Sequence, residues 1–298
     1  MKLKNALAEI LDERSIAKLV TSFDRIGEVI VIRIPPELQA AQLHIAEALH
    51  TRYPKVRTIA AVPLHAQTDE RYRTRDLTVI WGDPSLETTY CESGCRFKAD
   101  LKQVFLSPRL SYERMRIARK VAPAETVLNL FAGVGCFSIL IAKLQPQATI
   151  YSVDVNPHAF AYLQENVALN RVEGRVIPIL GDAVKVAAEL QGRVDRVLMP
   201  LPETAHAFLP AAVRALRLWK GGDDEEREAG TIHYYAVARG RSTRDLFTVP
   251  FARAEELIAA AFDASLRITS EEQRIVRSVG PRKYHVVLDL RITRERRS

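Results

Sequence analysis

The chain has 298 residues, 47% of them hydrophobic and 27% charged, and 43 Lys and Arg outweigh 36 Asp and Glu to give a net charge of +7. These fractions exclude a disordered, collagen-like or coiled-coil chain, and the length suits roughly two domains with a sizeable core. No run approaches the roughly 18–20 consecutive apolar residues of a membrane span, and the charged start MKLKNALAEILDERS reads as a short amphipathic helix, not a secretory signal.

Residues 1–112 read as a small α+β domain. Gly27–Ile34 is a β-branched strand closed by Pro35-Pro36. The following stretch, ELQAAQLHIAEALHTRY, gathers Leu38, Leu43, Ile45, Ala46 and Leu49 largely on one helical face. Further short strands are expected at Thr58–Val62, Leu77–Trp81 and Glu87–Cys91. Arg71, Arg73 and Arg75 alternate with Tyr72 and Thr74, a pattern that suits phosphate or base contact as well as a solvated strand edge.

Residues 113–298 alternate strands with helices. Strands are expected at Thr126–Phe131, Ala148–Val155, Arg175–Leu180, Asp195–Met199, Thr231–Ala238 and Tyr284–Ile292. Helices are expected after the first strand, from Pro157 behind an Asn156 cap, at Phe208–Trp219 and at Glu255–Phe262. Gly221–Gly230 reads as a solvated loop. The βαβα alternation predicts a parallel sheet with helices on both faces. Cys91, Cys95 and Cys136 are too few for a disulfide framework and lack partner ligands for zinc, so a reducing cytoplasm and no metal are expected.

The chemistry concentrates between the first strand and its helix. Gly133-Val134-Gly135 lets the backbone approach a ligand at a helix N-terminus. Ser138 fills the third-glycine slot of a dinucleotide fingerprint, which argues against NAD. Asp154, 21 residues beyond Gly133, ends the second strand where a carboxylate reaches ribose hydroxyls. Asp182, after Gly181 and before Ala183, offers a second carboxylate near an adenine edge. A helix cap is the competing role for each acid, but their order fits S-adenosylmethionine, whose lack of a pyrophosphate removes the need for the third glycine.

LNLFAGVGCFSILIAK, SVDVNPHAFAYLQENVALNRV and VDRVLMPLPETAHAFL resemble the class I methyltransferase domain of the archaeal and eukaryotic-type enzymes that methylate tRNA guanine 37 at N1. The resemblance continues through SFDRIGEVIVIRIP, GCRFKADLKQVFLSPRLSYERMRIA and IVRSVGPRKYHVVLDLRI, over most of the chain. It implies a Rossmann-like α/β sheet behind a smaller N-terminal α+β domain that positions RNA. It also implies S-adenosylmethionine as cofactor, the anticodon stem-loop of tRNA as partner, a cytoplasmic place and a monomer. Many archaeal members carry a further N-terminal tRNA-binding domain, and this chain is expected to start too late to hold one.

The resemblance places a general base at Glu113, with an ion pair to Arg116 as its competing role. Arg73 or Arg75 is the candidate to stabilise charge on O6 of the base. Phe105, Arg109 and Pro202 are expected at the substrate. Phe131, Gly133, Gly135, Asp154, Asn156, Asp182, Ala183 and Pro200 are expected at the cofactor. Relatives show Asn-Leu-Pro after the fourth strand, whereas this chain reads Met199-Pro200-Leu201-Pro202. The turn then offers backbone carbonyls but no side-chain amide to guanine. Rival readings are aminocarboxypropyl transfer from the same cofactor to a modified guanine 37, an RNA-binding relative without catalysis, and an NAD-dependent dehydrogenase.

Overall fold

The computed structural model describes residues 3–62, 72, 74–218, 229–262 and 266–294. The start of the chain folds as two short helices, α1 (Leu3–Ala6) and α2 (Glu13–Lys18), the second capped by Asp12. A four-stranded sheet follows in the order β1 (Phe23–Ile26), β2 (Val29–Arg33), β3 (Thr58–Val62) and β4 (Thr78–Gly82). Gly27 was expected to open a strand but instead turns the β1–β2 hairpin at φ +57°. A Cβ there would strike Thr88 and the backbone of Thr89. The helix expected after Pro36 begins as a 3-10 turn over Pro36–Ala41 and continues as α3 (Gln42–Arg52). Ile45, Ala46 and Leu49 of α3 pack against Ile30, Ile32 and Ile59 of the sheet.

A hairpin of β5 (Glu87–Glu92) and β6 (Cys95–Asp100) links this layer to the rest. Its outer edge is filled by two asparagine side chains of α6 (Pro157–Leu169) and its cap. Asn166 accepts from Lys98 N (2.7 Å) and donates to Lys98 O (3.0 Å), and Asn170 does the same with Arg96 N (2.9 Å) and O (2.6 Å). Both asparagines are buried.

The large sheet has seven strands. Chain order gives α4 (Ser111–Lys120), β7 (Thr126–Asn129), α5 (Cys136–Leu144), β8 (Thr149–Asp154), then α6 and β9 (Val176–Leu180). After these come α7 (Ala183–Glu189), β10 (Arg196–Met199), α8 (Leu209–Ala215), β11 (Ala229–Arg239), α9 (Thr243–Ala261), β12 (Leu266–Gly280) and β13 (Lys283–Arg294). Across the sheet the order is β12-β13-β11-β10-β7-β8-β9. The strands from β9 to β11 run parallel, as expected, but β13 runs antiparallel to both its neighbours, β11 and β12. The wholly parallel sheet is therefore corrected at one edge: β12 and β13 join directly at Gly280–Lys283, with no crossover helix to keep them parallel.

Strand residues alternate between two cores. Val127, Leu198 and Tyr235 face α4, α5 and α6, while Leu128, Val197 and Tyr234 face α7, α8 and α9. Of the expected loop at Gly221–Gly230, Ala229 and Gly230 belong to β11, and the remainder lies outside the described residues.

A buried chain of charges fixes α4 to β13. Arg116 bonds Asp289 Oδ2 at 2.6 Å, Lys120 reaches the same oxygen at 2.7 Å, and His233 Nδ1 lies 2.6 Å from Asp289 Oδ1. Arg196 continues it, from His233 Nε2 at 2.6 Å to Glu125 Oε1 at 2.6 Å.

Candidate active site

The strand order reverses between β7 and β10, which opens a crevice at the carboxyl ends of β7, β8 and β10, where such sheets bind ligands. Gly133 turns the chain at φ +55°, and the space beside its missing Cβ is open, the nearest atom being Phe105 O at 3.9 Å. Gly135, at φ +94°, serves packing: a Cβ there would meet Leu163 Cδ1 at 2.6 Å and Ile139 Cδ1 at 2.9 Å. Gly133 thus lines the crevice, and Gly135 lets α5 pack against α6. Ser138 in the third-glycine slot is fully buried, its Oγ within 3.1 Å of Asn129 Nδ2 and 2.7 Å of Ser152 Oγ.

Asp154 holds this turn. Its Oδ2 accepts from Gly133 N at 2.7 Å and its Oδ1 from Asn156 N at 2.9 Å. Burial pushes the carboxyl above its ordinary value, and these backbone donors offset part of the rise. Asn156 caps α6 through His158 N (2.9 Å) and ties the crevice to Gln103 O (2.9 Å). Asp182 caps α7, its Oδ1 accepting from Val184 N at 3.0 Å and Lys185 N at 3.1 Å. Together with Phe131, Gly181, Ala183, Pro200 and Phe208 these residues line a cavity of about 410 Å³.

This cavity fits the nucleoside end of S-adenosylmethionine. Two carboxylates are present at its wall, Phe131, Pro200 and Phe208 supply an apolar floor, and the bare Gly133 leaves room for close approach. Asp182 also carries the capping role that competed in the sequence, whereas Asp154 caps no helix and braces the glycine turn instead.

A second chamber of about 250 Å³ adjoins it and shares Phe105, Pro200 and Leu201 with it. Its walls include Arg75, Pro202, Glu203, Tyr235, Arg277 and His285. Arg75 stands over the Phe105 ring at 5.1 Å. His285 Nε2 lies 3.5 Å from Glu203 Oε1, and Arg277 Nε donates to His285 Nδ1 at 3.3 Å.

Glu113 lines neither chamber. It is 3% exposed, its two oxygens taken by Arg116 Nη2 (2.7 Å) and Nε (3.0 Å), and Oε1 also accepts from the Tyr235 hydroxyl at 2.7 Å. The i,i+3 pair with Arg116 therefore forms, and among the described residues Glu113 meets the chamber through Tyr235. Burial and the neighbouring Glu113 charge push the Tyr235 hydroxyl well above its ordinary value, so it is a proton-bearing phenol. Arg109 points away from both chambers and pairs with Asp24 Oδ1 at 2.6 Å. Arg73 lies outside the described residues, while Tyr72 lines the first cavity.

Tyr235, Arg277 and His285 were missed as site residues: the last two lie within IVRSVGPRKYHVVLDLRI, whose resemblance marked no residue's role, and β11, β12 and β13 bring all three in from the distant end of the chain. One signal existed: His233 and Tyr235 put two polar side chains on one face of a buried strand. Among the described residues no group of three or more His, Cys, Asp or Glu is placed to hold a metal ion, and no helix is long and apolar enough to cross a membrane.

Residues 88–266 match the family described as the TRM5/TYW2 methyltransferase domain, and residues 3–85 match the TYW2 N-terminal domain. The tRNA (guanine(37)-N(1))-methyltransferase Trm5b of Pyrococcus abyssi is 36% identical over 275 residues, covering 92% of this chain and 76% of that protein. The tRNA 4-demethylwyosine(37)-methyltransferase Taw21 of Saccharolobus solfataricus is 31% identical over 290 residues, 97% of this chain and 99% of the relative. The crystal structure of Methanocaldococcus jannaschii Trm5 in complex with adenosine superposes with a TM-score of 0.73 at 29% identity, covering 99% of this chain and 79% of that one.

Proposed function

The chain belongs to the TRM5/TYW2 methyltransferase family, and we propose that it methylates N1 of guanine 37 in tRNA, beside the anticodon. The observation that carries this reading is the meeting of two chambers at Phe105, Pro200 and Leu201, one fitted for a nucleoside donor and the other walled by arginines and by a tyrosine whose hydroxyl bonds a buried carboxylate behind it.

S-adenosylmethionine supplies an electrophilic methyl group on its sulfur. Asp154 would accept hydrogen bonds from its ribose and Asp182 from the adenine side, and Phe131 and Phe208 would hold its apolar faces. The target guanine is extruded from the loop, at a cost of a few kcal/mol, and enters the second chamber past Phe105.

Guanine N1 bears a proton at neutral pH, so that proton must leave as the new N–C bond forms. The Tyr235 hydroxyl accepts it and passes its own proton along the 2.7 Å hydrogen bond to Glu113. Arg116, held by Asp289 as well, keeps the Glu113 carboxylate in place for that transfer. Arg75, stacked over Phe105, stabilises the negative charge that develops on O6. The chain works as a monomer in the cytoplasm, where tRNA is modified.

Pro200 favours one further reading. It gives the chamber no side-chain amide with which to select the guanine edge, so a tricyclic base of the 4-demethylwyosine kind also fits as methyl acceptor. Incubation with labelled S-adenosylmethionine and tRNA transcripts that differ only in the base 3′ of the anticodon tests the first reading. Label must enter as 1-methylguanosine, with S-adenosylhomocysteine released. Release of methylthioadenosine instead marks aminocarboxypropyl transfer, and label entering only tRNA that already carries the tricyclic base marks the second reading.

A further inference from the structure

Beyond the two chambers, a third hollow of about 340 Å³ lies between the N-terminal sheet and the edge strand β12. Four arginines reach it from four separate elements. Arg33 ends β2, Arg75 precedes β4, Arg109 sits in the 3-10 turn Pro108–Leu110, and Arg277 is on β12. Asp24 is the single carboxylate among the described lining residues. Its Oδ1 is taken by Arg109 Nε at 2.6 Å, and its Oδ2 lies 3.7 Å from Arg75 Nη1. Arg277 directs its Nε to His285 Nδ1.

We propose that this hollow is a phosphate subsite that takes a backbone phosphodiester of the RNA next to the extruded nucleotide. The proposal deepens the tRNA reading and rests on it. Four guanidinium groups against one carboxylate leave an excess of positive charge in a half-enclosed space, which an anion relieves. The arginines feel one another. Burial, together with Arg109 and Arg33, lowers Arg75 despite Asp24, and burial, Arg75 and Arg109 lower Arg277 despite Glu203 and Asp24. Guanidinium forks suit the oxygens of a phosphate, and the hydroxyls of Ser22 and Ser278 also line the hollow.

Position makes the anion a nucleotide's own. Arg75 and Arg277 line both this hollow and the acceptor chamber. A base in that chamber and a phosphate in the hollow are therefore separated by only one layer of side chains, as base and backbone are within a nucleotide.

The test uses the full chain with S-adenosylhomocysteine and an anticodon stem-loop, titrated by fluorescence anisotropy over a series of salt concentrations. Arg33→Gln and Arg277→Gln should each weaken RNA binding about tenfold and reduce the salt slope by about one. Calorimetric affinity for S-adenosylmethionine should not change. Methylphosphonates at the phosphates flanking the target nucleotide should weaken the wild type by a similar factor and the variants no further. RNA binding by both variants with wild-type affinity and slope overturns the subsite alone. If inorganic phosphate binds the wild type but not the variants while RNA affinity is unaltered, the hollow serves free phosphate and the RNA assignment falls. A wild type with no salt-dependent RNA binding removes the tRNA reading and the subsite together.

Discussion

The Tyr235 hydroxyl on β11 donates to Glu113 Oε1 on α4 across 2.7 Å, so a wall of the acceptor chamber and the carboxylate behind it form one hydrogen-bonded unit. Glu113→Gln should lower single-turnover methyl transfer by about 10²- to 10⁴-fold, the usual contribution of a positioned proton acceptor. Tyr235→Phe should cost a similar factor, and the double variant little more than either, since both act on one proton. Affinity for S-adenosylmethionine should hold. Rapid-quench rates equal to wild type in Tyr235→Phe would refute the relay.

Asp154 does two things with one carboxylate, bracing the glycine turn and lining the cavity proposed for the cofactor. Asp154→Ala leaves the N–H groups of Gly133 and Asn156 without that acceptor, at roughly 1–3 kcal/mol for an unsatisfied buried group. Calorimetry should show at least tenfold weaker binding of S-adenosylmethionine, and the thermal midpoint should fall with it. A variant that kept full affinity would remove Asp154 from the cofactor site.

The two glycines of the turn should fail differently. Gly135→Ala forces a left-handed alanine against Leu163 and Ile139, costing about 1–2 kcal/mol in the backbone and a comparable amount in overpacking. Its signature is a lowered unfolding midpoint. Gly133→Ala meets open space, so beyond the backbone strain its effect should appear in cofactor affinity. Equal losses of stability in both would contradict this division.

Acid should unfold the protein in two stages. Burial holds His233 neutral and below its ordinary 6.5, whereas the unfolded chain takes up that proton, so stability is lost as pH falls below about 6.5. Asp289, held far below its ordinary 3.8 by His233, Arg116 and Lys120 against the opposing effect of burial, stays ionised when folded. Its contribution is present above about pH 4 and lost below. Calorimetric midpoints should decline from pH 7 to 5, and His233→Gln should flatten that interval.

That Gly133, Asp154 and Asp182 share one cavity was legible because its parts are local: a glycine turn, a strand-end acid and a capped helix lie within a few dozen residues. The acceptor chamber was not, because sheet closure from the far end of the chain delivers Tyr235, Arg277 and His285. β12 was hidden by its composition, since SEEQRIVRSVG lacks apolar alternation on an edge strand with register shifts at Ser270/Glu272, Ile275/Arg277 and Ser278/Gly280. Helix α9 begins at Thr243 and not at the expected Glu255. Pro250 reads as a breaker, while the capping box of Ser242 and Asp245 starts the helix well before it. Glu113 and Arg116 were readable as an ion pair, but the tyrosine between that pair and the chamber was not.

The amides of Asn166 and Asn170 stand where the next strand of the Arg96–Lys98 edge would lie. An uncovered edge recruits strands from other molecules, and natural proteins take care to blunt it. Side chains of α6 and its C-cap here satisfy the very groups such recruitment needs, so replacing both asparagines with alanine would offer neighbouring chains a template for intermolecular β-addition and clumping.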